Sequence, residues 1–177
     1  MKKRQQGLTT VEAAIGAAVM LTVLFGAIEV SRLVFVWNFL DEVTRRGARV
    51  AAVCPFDHPA VRRVAIFSEP DGLDSSPRYI KGLTTSEVTI EYLDAAGDDS
   101  TTNLEPGETP LEKTKFVRAS INNFQLPLLL FNKATLNAPP FTTILPSESL
   151  GYNPDTTTCR CFSTPGSWGV DGCDSPP

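Results

Sequence analysis

Residues 8–28 form an apolar run that contains one charged side chain, Glu12. About 20 apolar residues in an α-helix are enough to cross the hydrocarbon core of a bilayer. Lys2, Lys3 and Arg4 precede the run, and basic residues beside a membrane helix stay on the cytoplasmic side. The run therefore predicts a single-pass membrane helix with a cytoplasmic N-terminus and a C-terminal part on the other side, the periplasm of a bacterium.

A cleaved secretory signal peptide is the alternative interpretation of this N-terminus. It would share the basic start, but it would have a shorter apolar core and a cleavage site between small residues. Here the apolar character continues beyond the run, at Val30, Leu33, Val34, Val36, Trp37, Phe39 and Leu40. The longer apolar segment favours an uncleaved anchor.

The proline distribution predicts that the helix continues past the membrane. The chain has 14 prolines, and the first of them is Pro55. Asp41 and Arg45 are four residues apart, the spacing of a stabilising pair on a helix surface. A helix over residues 8–53 would be about 69 Å long at 1.5 Å per residue. Cys54-Pro55 is a natural end for it, because the residue before a proline is disfavoured in the helical conformation.

The charges divide the chain at the same point. Residues 1–53 carry a net charge of +3 and residues 54–177 carry −7, within a total of −4. The acidic balance argues against nucleic acid as a partner, because phosphate contacts need clustered Lys and Arg. One histidine and four cysteines leave few groups for a catalytic triad or a histidine-rich metal centre. We therefore expect no enzyme activity, no cofactor and no resident metal.

The remainder of the chain predicts a small α+β head domain. Alternation of apolar and polar residues predicts a strand over 86–93 and a second one over 115–124, antiparallel to the first. Further segments are a short helix at 60–67, an edge strand or buried loop at 126–131, and a short strand at 141–145. These strands are expected to pack against the outer half of the long helix.

The four cysteines, Cys54, Cys159, Cys161 and Cys173, all follow the membrane segment. An oxidising compartment makes disulfides the natural expectation, and four cysteines allow three pairings. Cys159 and Cys161 are too close for an unstrained bridge with each other. We expect one of them to join Cys173 and the other to join Cys54. A zinc site of four thiolates is the less favoured alternative.

Three other features of the head have a structural and a functional interpretation. His58 could be a ligand or a base, but a turn residue is favoured. The acidic loop at Asp94–Asp99 could hold calcium, but its spacing is not that of an EF-hand, so a solvated loop is favoured. Arg62 and Arg63 could contact lipid headgroups, although a solvated helix face is the better expectation.

Residues 4–12 read Arg-Gln-Gln-Gly-Leu-Thr-Thr-Val-Glu. A basic leader that ends in glycine, with glutamate as the fifth residue after it, resembles the cleavage site of type IV prepilins. The continuation to Val53, with Glu29 and Arg32 in the helix stem, resembles the TadE-like family, which are minor pseudopilins of the tight-adherence (Flp, type IVb) pilus system. Ala13 stands where major pilins of that type have tyrosine, and this difference favours a minor pseudopilin.

The resemblance implies that a prepilin peptidase cuts between Gly7 and Leu8, so that residues 1–7 are a leader. It also implies that Glu12 pairs with the new α-amino group of a neighbouring subunit. Its implied partners are that peptidase, other pilins and pseudopilins, the inner-membrane assembly machinery and inner-membrane lipid. Residues 8–53 would be the membrane and stem helix, and residues 54–177 the periplasmic head, which could be carried into an extracellular pilus.

The composition predicts a non-catalytic protein, and the resemblance implies that it takes part in assembling or initiating an adhesive pilus. Two alternatives stay open. One is a single-pass, membrane-anchored periplasmic binding protein or adhesin that does not polymerise. The other is an exported enzyme or adhesin whose site would be the acidic loop between Asp94 and Glu112.

Overall fold

The structure is a computed structural model, and it describes residues 6–68, 80, 82–102, 104, 109–128, 134–148, 150, 152–153 and 158–159. A single helix dominates the described chain. It is α1, Gln6–Val53, and its 48 residues confirm the continuous helix that the absence of proline predicts. It ends where Cys54 N–H donates to the carbonyl of Val50 at 2.9 Å, directly before Pro55.

A three-stranded antiparallel sheet forms the core of the head. Its strands are β1 (Val88–Leu93), β2 (Phe116–Ile121) and β5 (Phe141–Pro146), in the order β1-β2-β5. Ile90 pairs with Ala119, and Ala119 pairs with Thr143. The strand predicted over 86–93 begins at Val88, because Thr85–Glu87 form a 3₁₀ turn. Its alternation has the expected result, because Val88, Ile90 and Tyr92 are buried.

The outer part of α1 lies across the inner face of this sheet. Leu40, Val43, Ala48 and Ala51 of the helix are buried in the core with Val117, Ala119 and Ile121 of β2. Thr44 Oγ1 lies 3.1 Å from Thr143 Oγ1 of β5. The architecture is therefore α+β, with an antiparallel sheet packed on the stem of a long helix, as predicted.

Gly47 marks the closest approach between α1, the sheet and the helix α2 (Pro59–Ala65). A Cβ added at Gly47 would lie 3.2 Å from the Cβ of Ala65 and 3.5 Å from the Cβ of Ala119. A side chain there would hold these elements apart, and glycine lets them meet. Arg46, one residue earlier, places its guanidinium 4.4 Å from the ring centre of Phe67.

A small hairpin extends from one end of the sheet. It consists of β3 (Gln125–Pro127) and β4 (Thr135–Asn137), which pair with each other and not with the main sheet. Leu126 is buried, so the apolar segment at 126–131 begins as a strand, while residues 129–131 lie outside the described residues. The strand predicted at 115–124 ends at Ile121, because the chain leaves the sheet towards this hairpin.

Four further short elements complete the described chain. They are the 3₁₀ turn Thr85–Glu87, the helix α3 (Pro110–Lys113), and the paired strands β6 (Tyr152–Asn153) and β7 (Thr158–Cys159). Thr109 and Glu112 form a reciprocal capping box at the start of α3, which fixes the first turn of this helix at the end of the loop between Asp94 and Glu112.

Candidate functional site

The first half of α1 is an exposed apolar surface. From Thr9 to Ile28 the described side chains are exposed, apart from the half-buried Gly26. Within the described residues, α1 is the one helix long and apolar enough to cross a membrane, and the apolar window that qualifies it has no buried residue. Water is a poor solvent for such a surface, so the helix is compatible with a single-pass membrane anchor.

Three polar side chains, one inside the apolar run and two just beyond it, bond back to the helix itself. Thr22 Oγ1 donates to the carbonyl of Ala18, and Ser31 Oγ donates to that of Ala27, both at 2.8 Å. Asn38 Nδ2 does the same to Val34 at 2.9 Å. For Thr22, which lies within the apolar run, this bond satisfies a hydroxyl that would otherwise be costly in lipid, where no water is present to bond it.

Glu12 differs from these residues. Its side chain is exposed in the middle of apolar neighbours, and it makes no hydrogen bond or ion pair within the part of the chain that the structure describes. A carboxylate in a membrane helix costs about 2.5–3.5 kcal/mol on insertion scales, and such residues face partners or water. Glu12 is therefore the group on this surface that most needs a partner from another molecule.

The predicted cleavage junction lies at the start of the same helix. The backbone of Gly7 and Leu8 is helical, in the first turn of α1, which begins at Gln6. Residues 1–5 of the predicted leader lie outside the described residues. Leu8 precedes Glu12 by four residues, which is about 6 Å along a helix axis. The sequence-predicted junction and the carboxylate thus lie one turn apart on one element.

Small residues give this surface room for a neighbouring helix. Ala13, Ala14, Gly16, Ala17 and Ala18 are all exposed. A Cβ added at Gly16 would meet no atom within 4 Å. Small residues allow membrane helices to approach closely, so this stretch can accept a second helix beside Glu12.

Glu29 and Arg32 lie where the apolar surface meets the head. Glu29 is only 7% exposed, and Arg32 Nη1 lies 3.3 Å from Glu29 Oε1. The same Nη1 donates to the carbonyl oxygen of Pro127 in β3 at 2.8 Å. The two stem residues named from the sequence are thus joined to each other and to the hairpin. The contact with Pro127 was not predicted, because a backbone carbonyl carries no side-chain signal.

His58 and its neighbours have structural roles in the described chain. His58 is the N-cap of α2, and its Nδ1 accepts from Ala60 N–H at 3.2 Å, which confirms the turn-residue interpretation. Arg62 lies 3.1 Å from Asp57 Oδ1. Asp57 N–H in turn donates to the Tyr92 hydroxyl at 3.0 Å, and burial raises the pKa of Tyr92.

The carboxylates of the acidic loop fold back onto their own backbone. Asp94 Oδ1 accepts from the N–H groups of Ala96 and Asp98, at 2.8 and 2.9 Å. Asp99 Oδ1 accepts from the hydroxyl and N–H of Thr101, which lowers the pKa of Asp99. Among the described residues no cluster of three or more His, Cys, Asp or Glu side chains could hold a metal. These bonds favour the solvated-loop interpretation over calcium binding.

Cys54 is buried at the end of α1 and is disulfide-bonded. Cys159 is described by its backbone in β7, and Cys161 and Cys173 lie outside the described residues. The expected pairing of Cys54 with Cys159 or Cys161 therefore stays a prediction.

Comparison with known proteins bears on the helix and not on the head. No curated protein and no solved structure matches the chain. Residues 7–49, about a quarter of the 177, match the family model described as TadE-like protein. The matched range includes Gly7, Leu8, Glu12, Glu29 and Arg32. The match confirms the resemblance predicted from the sequence and relates this chain, through its long helix, to the TadE-like proteins of the tight-adherence pilus system.

Proposed function

We propose that this protein is a minor pseudopilin that takes part in the assembly or initiation of a Flp/Tad type IVb pilus and so supports surface adherence. The observation that carries the proposal is the exposed carboxylate of Glu12, which has no partner among the described residues and lies on a largely apolar helix surface. This carboxylate lies inside the range that matches the TadE-like family. The proposed role is in assembly and not in catalysis. The helix packs against other pilus subunits, and the head lies outside the cytoplasm.

The chemistry begins with cleavage between Gly7 and Leu8 by a prepilin peptidase at the cytoplasmic face. Hydrolysis of that peptide bond leaves a cationic α-amino group on Leu8. The amine lies one turn from Glu12 of its own chain, and it lies level with Glu12 of a parallel neighbour that is offset by about 6 Å. A buried carboxylate that pairs with this amine is neutralised, whereas an unpaired carboxylate in the membrane remains energetically costly. Correct stacking is therefore favoured over isolated subunits.

The head remains outside the cytoplasm in this proposal. The basic residues of the leader hold the N-terminus inside, and the helix crosses the inner membrane once. The four cysteines, which all follow the membrane segment, support an oxidising compartment for the head. The partners are the peptidase, other pilins and pseudopilins, and the inner-membrane assembly machinery, with lipid around the helix before it enters a filament.

Mass spectrometry of the mature N-terminus tests the processing step. A chain that begins at Leu8 is expected from cells with the peptidase, and the full precursor from cells without it. A mature chain that begins at Met1 in the presence of the peptidase, or beyond about residue 25 as signal-peptide cleavage would give, contradicts the proposal.

Three substitutions of Glu12 test the assembly step. Glu12→Gln keeps the shape but removes the charge, and Glu12→Ala removes both. Both are expected to reduce piliation and co-purification with pilus subunits, whereas Glu12→Asp should retain part of each. Membrane fractionation and the mature mass serve as controls for insertion and cleavage. If Glu12→Ala leaves piliation and co-purification unchanged, the non-polymerising, membrane-anchored binding protein is the better description.

An activity assay on the full chain addresses the exported enzyme or adhesin. Ligand binding or turnover that is lost on replacing Asp94 and Asp99 by Asn, with piliation intact, would assign a function to the acidic loop instead.

A further inference from the structure

We propose that the membrane-proximal end of the head rests on the outer leaflet of the bilayer through an apolar collar. The collar consists of Val30, Val34, Phe35 and Trp37 of α1 and Leu136 of β4. The inference rests on the membrane anchoring in the proposed function, and it adds a lipid contact made by the head itself.

The position of the hairpin along the helix is the first support. If the apolar run from Leu8 to Ile28 fills the hydrocarbon core, Arg32 begins about 6 Å beyond its outer edge. Helical side chains lean towards the N-terminus, and the Arg32 guanidinium indeed reaches back to Glu29. Pro127 is bonded to that guanidinium at 2.8 Å. The interfacial layer on each side of the core is about 5–8 Å thick, so the hairpin lies within it.

The exposed side chains at this level are the second support. The four helix residues of the collar are large, apolar and exposed, although they lie beyond the 21-residue span. Aromatic residues such as Phe35 and Trp37 suit the boundary between hydrocarbon and headgroups. Leu136 of the hairpin is 38% exposed at the same end of the head. The apolar surface of the span thus continues onto the head.

The charged side chains where the stem meets the hairpin are already paired. Glu29 and Arg32 form an ion pair, so they bring no net charge to the interface. Proline has no N–H, and the carbonyl of Pro127 accepts from Arg32. A surface with its charges neutralised and this backbone acceptor satisfied can enter the headgroup layer at lower cost than one with unpaired charges.

The width of the collar favours lipid over a second protein helix. At about 100° per residue, the four helix residues span an arc of roughly 160°. A packed helix partner covers a narrower seam than that. The collar is also continuous with the exposed surface of the span, which a bilayer would already surround. Lipid is therefore the occupant that fits the whole surface.

Depth-dependent fluorescence quenching in vesicles tests the collar. The full chain, with Trp37→Phe and Trp168→Phe, is reconstituted into vesicles of phosphatidylethanolamine and phosphatidylglycerol. Separate variants then carry one new tryptophan, Leu136→Trp, Phe116→Trp or Met20→Trp. Phe116 is the matched control, because it is also 38% exposed but lies towards the other end of the head. Its neighbour Lys115 accepts a hydrogen bond from Ser147 N–H, and Glu148 N–H donates to Ala52 near the end of α1. Met20 lies in the middle of the span.

We expect a nitroxide near the lipid headgroup to quench the tryptophan of Leu136→Trp more than a nitroxide deep in the acyl chain does. The emission of this tryptophan should also be blue-shifted relative to that of a tryptophan in water. Phe116→Trp should show neither effect, and Met20→Trp should be quenched most by the deep nitroxide. Quenching of Met20→Trp without quenching of Leu136→Trp overturns the collar and leaves the anchor intact. Absence of quenching in both variants overturns the anchor, and the collar with it. Protection of Leu136→Trp only by added pilus subunits would assign the surface to protein.

Discussion

Arg32 Nη1 donates to the carbonyl oxygen of Pro127, a residue 95 positions later in the chain, at a distance of 2.8 Å. The same guanidinium is paired with Glu29, so one side chain joins the membrane end of the stem to the hairpin of the head. Because Arg32 lies within the TadE-like range and Pro127 lies outside it, the contact links the part of the chain that matches the family model to the head.

Arg32→Ala should loosen the hairpin from the stem. A hydrogen bond to a charged group contributes about 1.5–3 kcal/mol, and the substitution leaves the Pro127 carbonyl without its donor. We expect faster amide hydrogen exchange at Leu128 and Ala138 in the full chain in detergent, with little change in β2.

Arg45→Ala is the matched control for that prediction. Arg45 is also an arginine of α1 paired with an acid, Asp41, at 2.9 Å, but both side chains are largely exposed. An exposed pair of this kind contributes a few tenths of a kcal/mol. Equal exchange rates in the two variants would show that the contact with Pro127 contributes nothing measurable.

Gly47→Leu should destabilise the whole head. Added atoms would meet Ala65, Ala119 and Ile90, whose nearest atoms lie 3.2–3.5 Å from the position of a Cβ. Overpacking of this kind costs about 1–3 kcal/mol, and it would separate α1 from the sheet. The melting temperature followed by near-ultraviolet circular dichroism should fall. Gly26→Leu is the control, because a Cβ there meets nothing within 4 Å, and it should leave the head unchanged.

The elements that sequence patterns predict are those set by local physics. The long helix follows from the absence of proline before Pro55, and β1 follows from the alternation of apolar and polar residues from Val88 to Tyr92. The hairpin could not be predicted in full, because β4 has three exposed residues and no apolar alternation. It is held by Leu126 in the core and by the bond to Arg32, and both are long-range contacts.

The candidate site likewise has features that the sequence predicts and features that it does not. Glu12 is identifiable from sequence because a lone carboxylate in an apolar run is costly wherever the helix lies. The pairing of Glu29 with Arg32 follows from their spacing of three residues. The burial of Glu29 depends on tertiary packing, and no local pattern carries that information.

Tyr92 should make the head less stable at alkaline pH. Burial raises the pKa of the Tyr92 phenol above its ordinary value of 10.0. The folded state therefore holds the phenol proton more tightly than the unfolded state does. This contribution to stability is complete below about pH 10, and it is lost as the pH rises from there through the folded-state pKa.

Tyr92→Phe isolates this effect. The variant loses the hydroxyl that accepts from Asp57 N–H, so we expect a cost of about 0.5–1.5 kcal/mol near neutral pH. It should also lose less stability than the parent protein between neutral pH and pH values above about 10. Chemical denaturation at a series of pH values measures both. If the free energy of unfolding changes with pH in the same way for the two proteins, Tyr92 has the same pKa in the folded and unfolded states.

The disulfide at Cys54 should tie the C-terminal tail to the top of the stem. Glu148 N–H and Leu150 N–H both donate to the carbonyl of Ala52, at 3.1 and 3.4 Å, so the chain returns to the end of α1 before it reaches Cys159. Peptide mapping without reduction should therefore join the Cys54 peptide to the one that contains Cys159 and Cys161, and that peptide in turn to Cys173. A direct link between Cys54 and Cys173 would contradict this pairing.

The two predicted disulfides should differ in how much they stabilise the head. A bridge that closes a loop of roughly 100 residues stabilises by about 4.7 kcal/mol in the chain-entropy model, and the loop predicted for Cys173 is far shorter. The Cys54→Ser variant should therefore unfold at a much lower denaturant concentration than the Cys173→Ser variant.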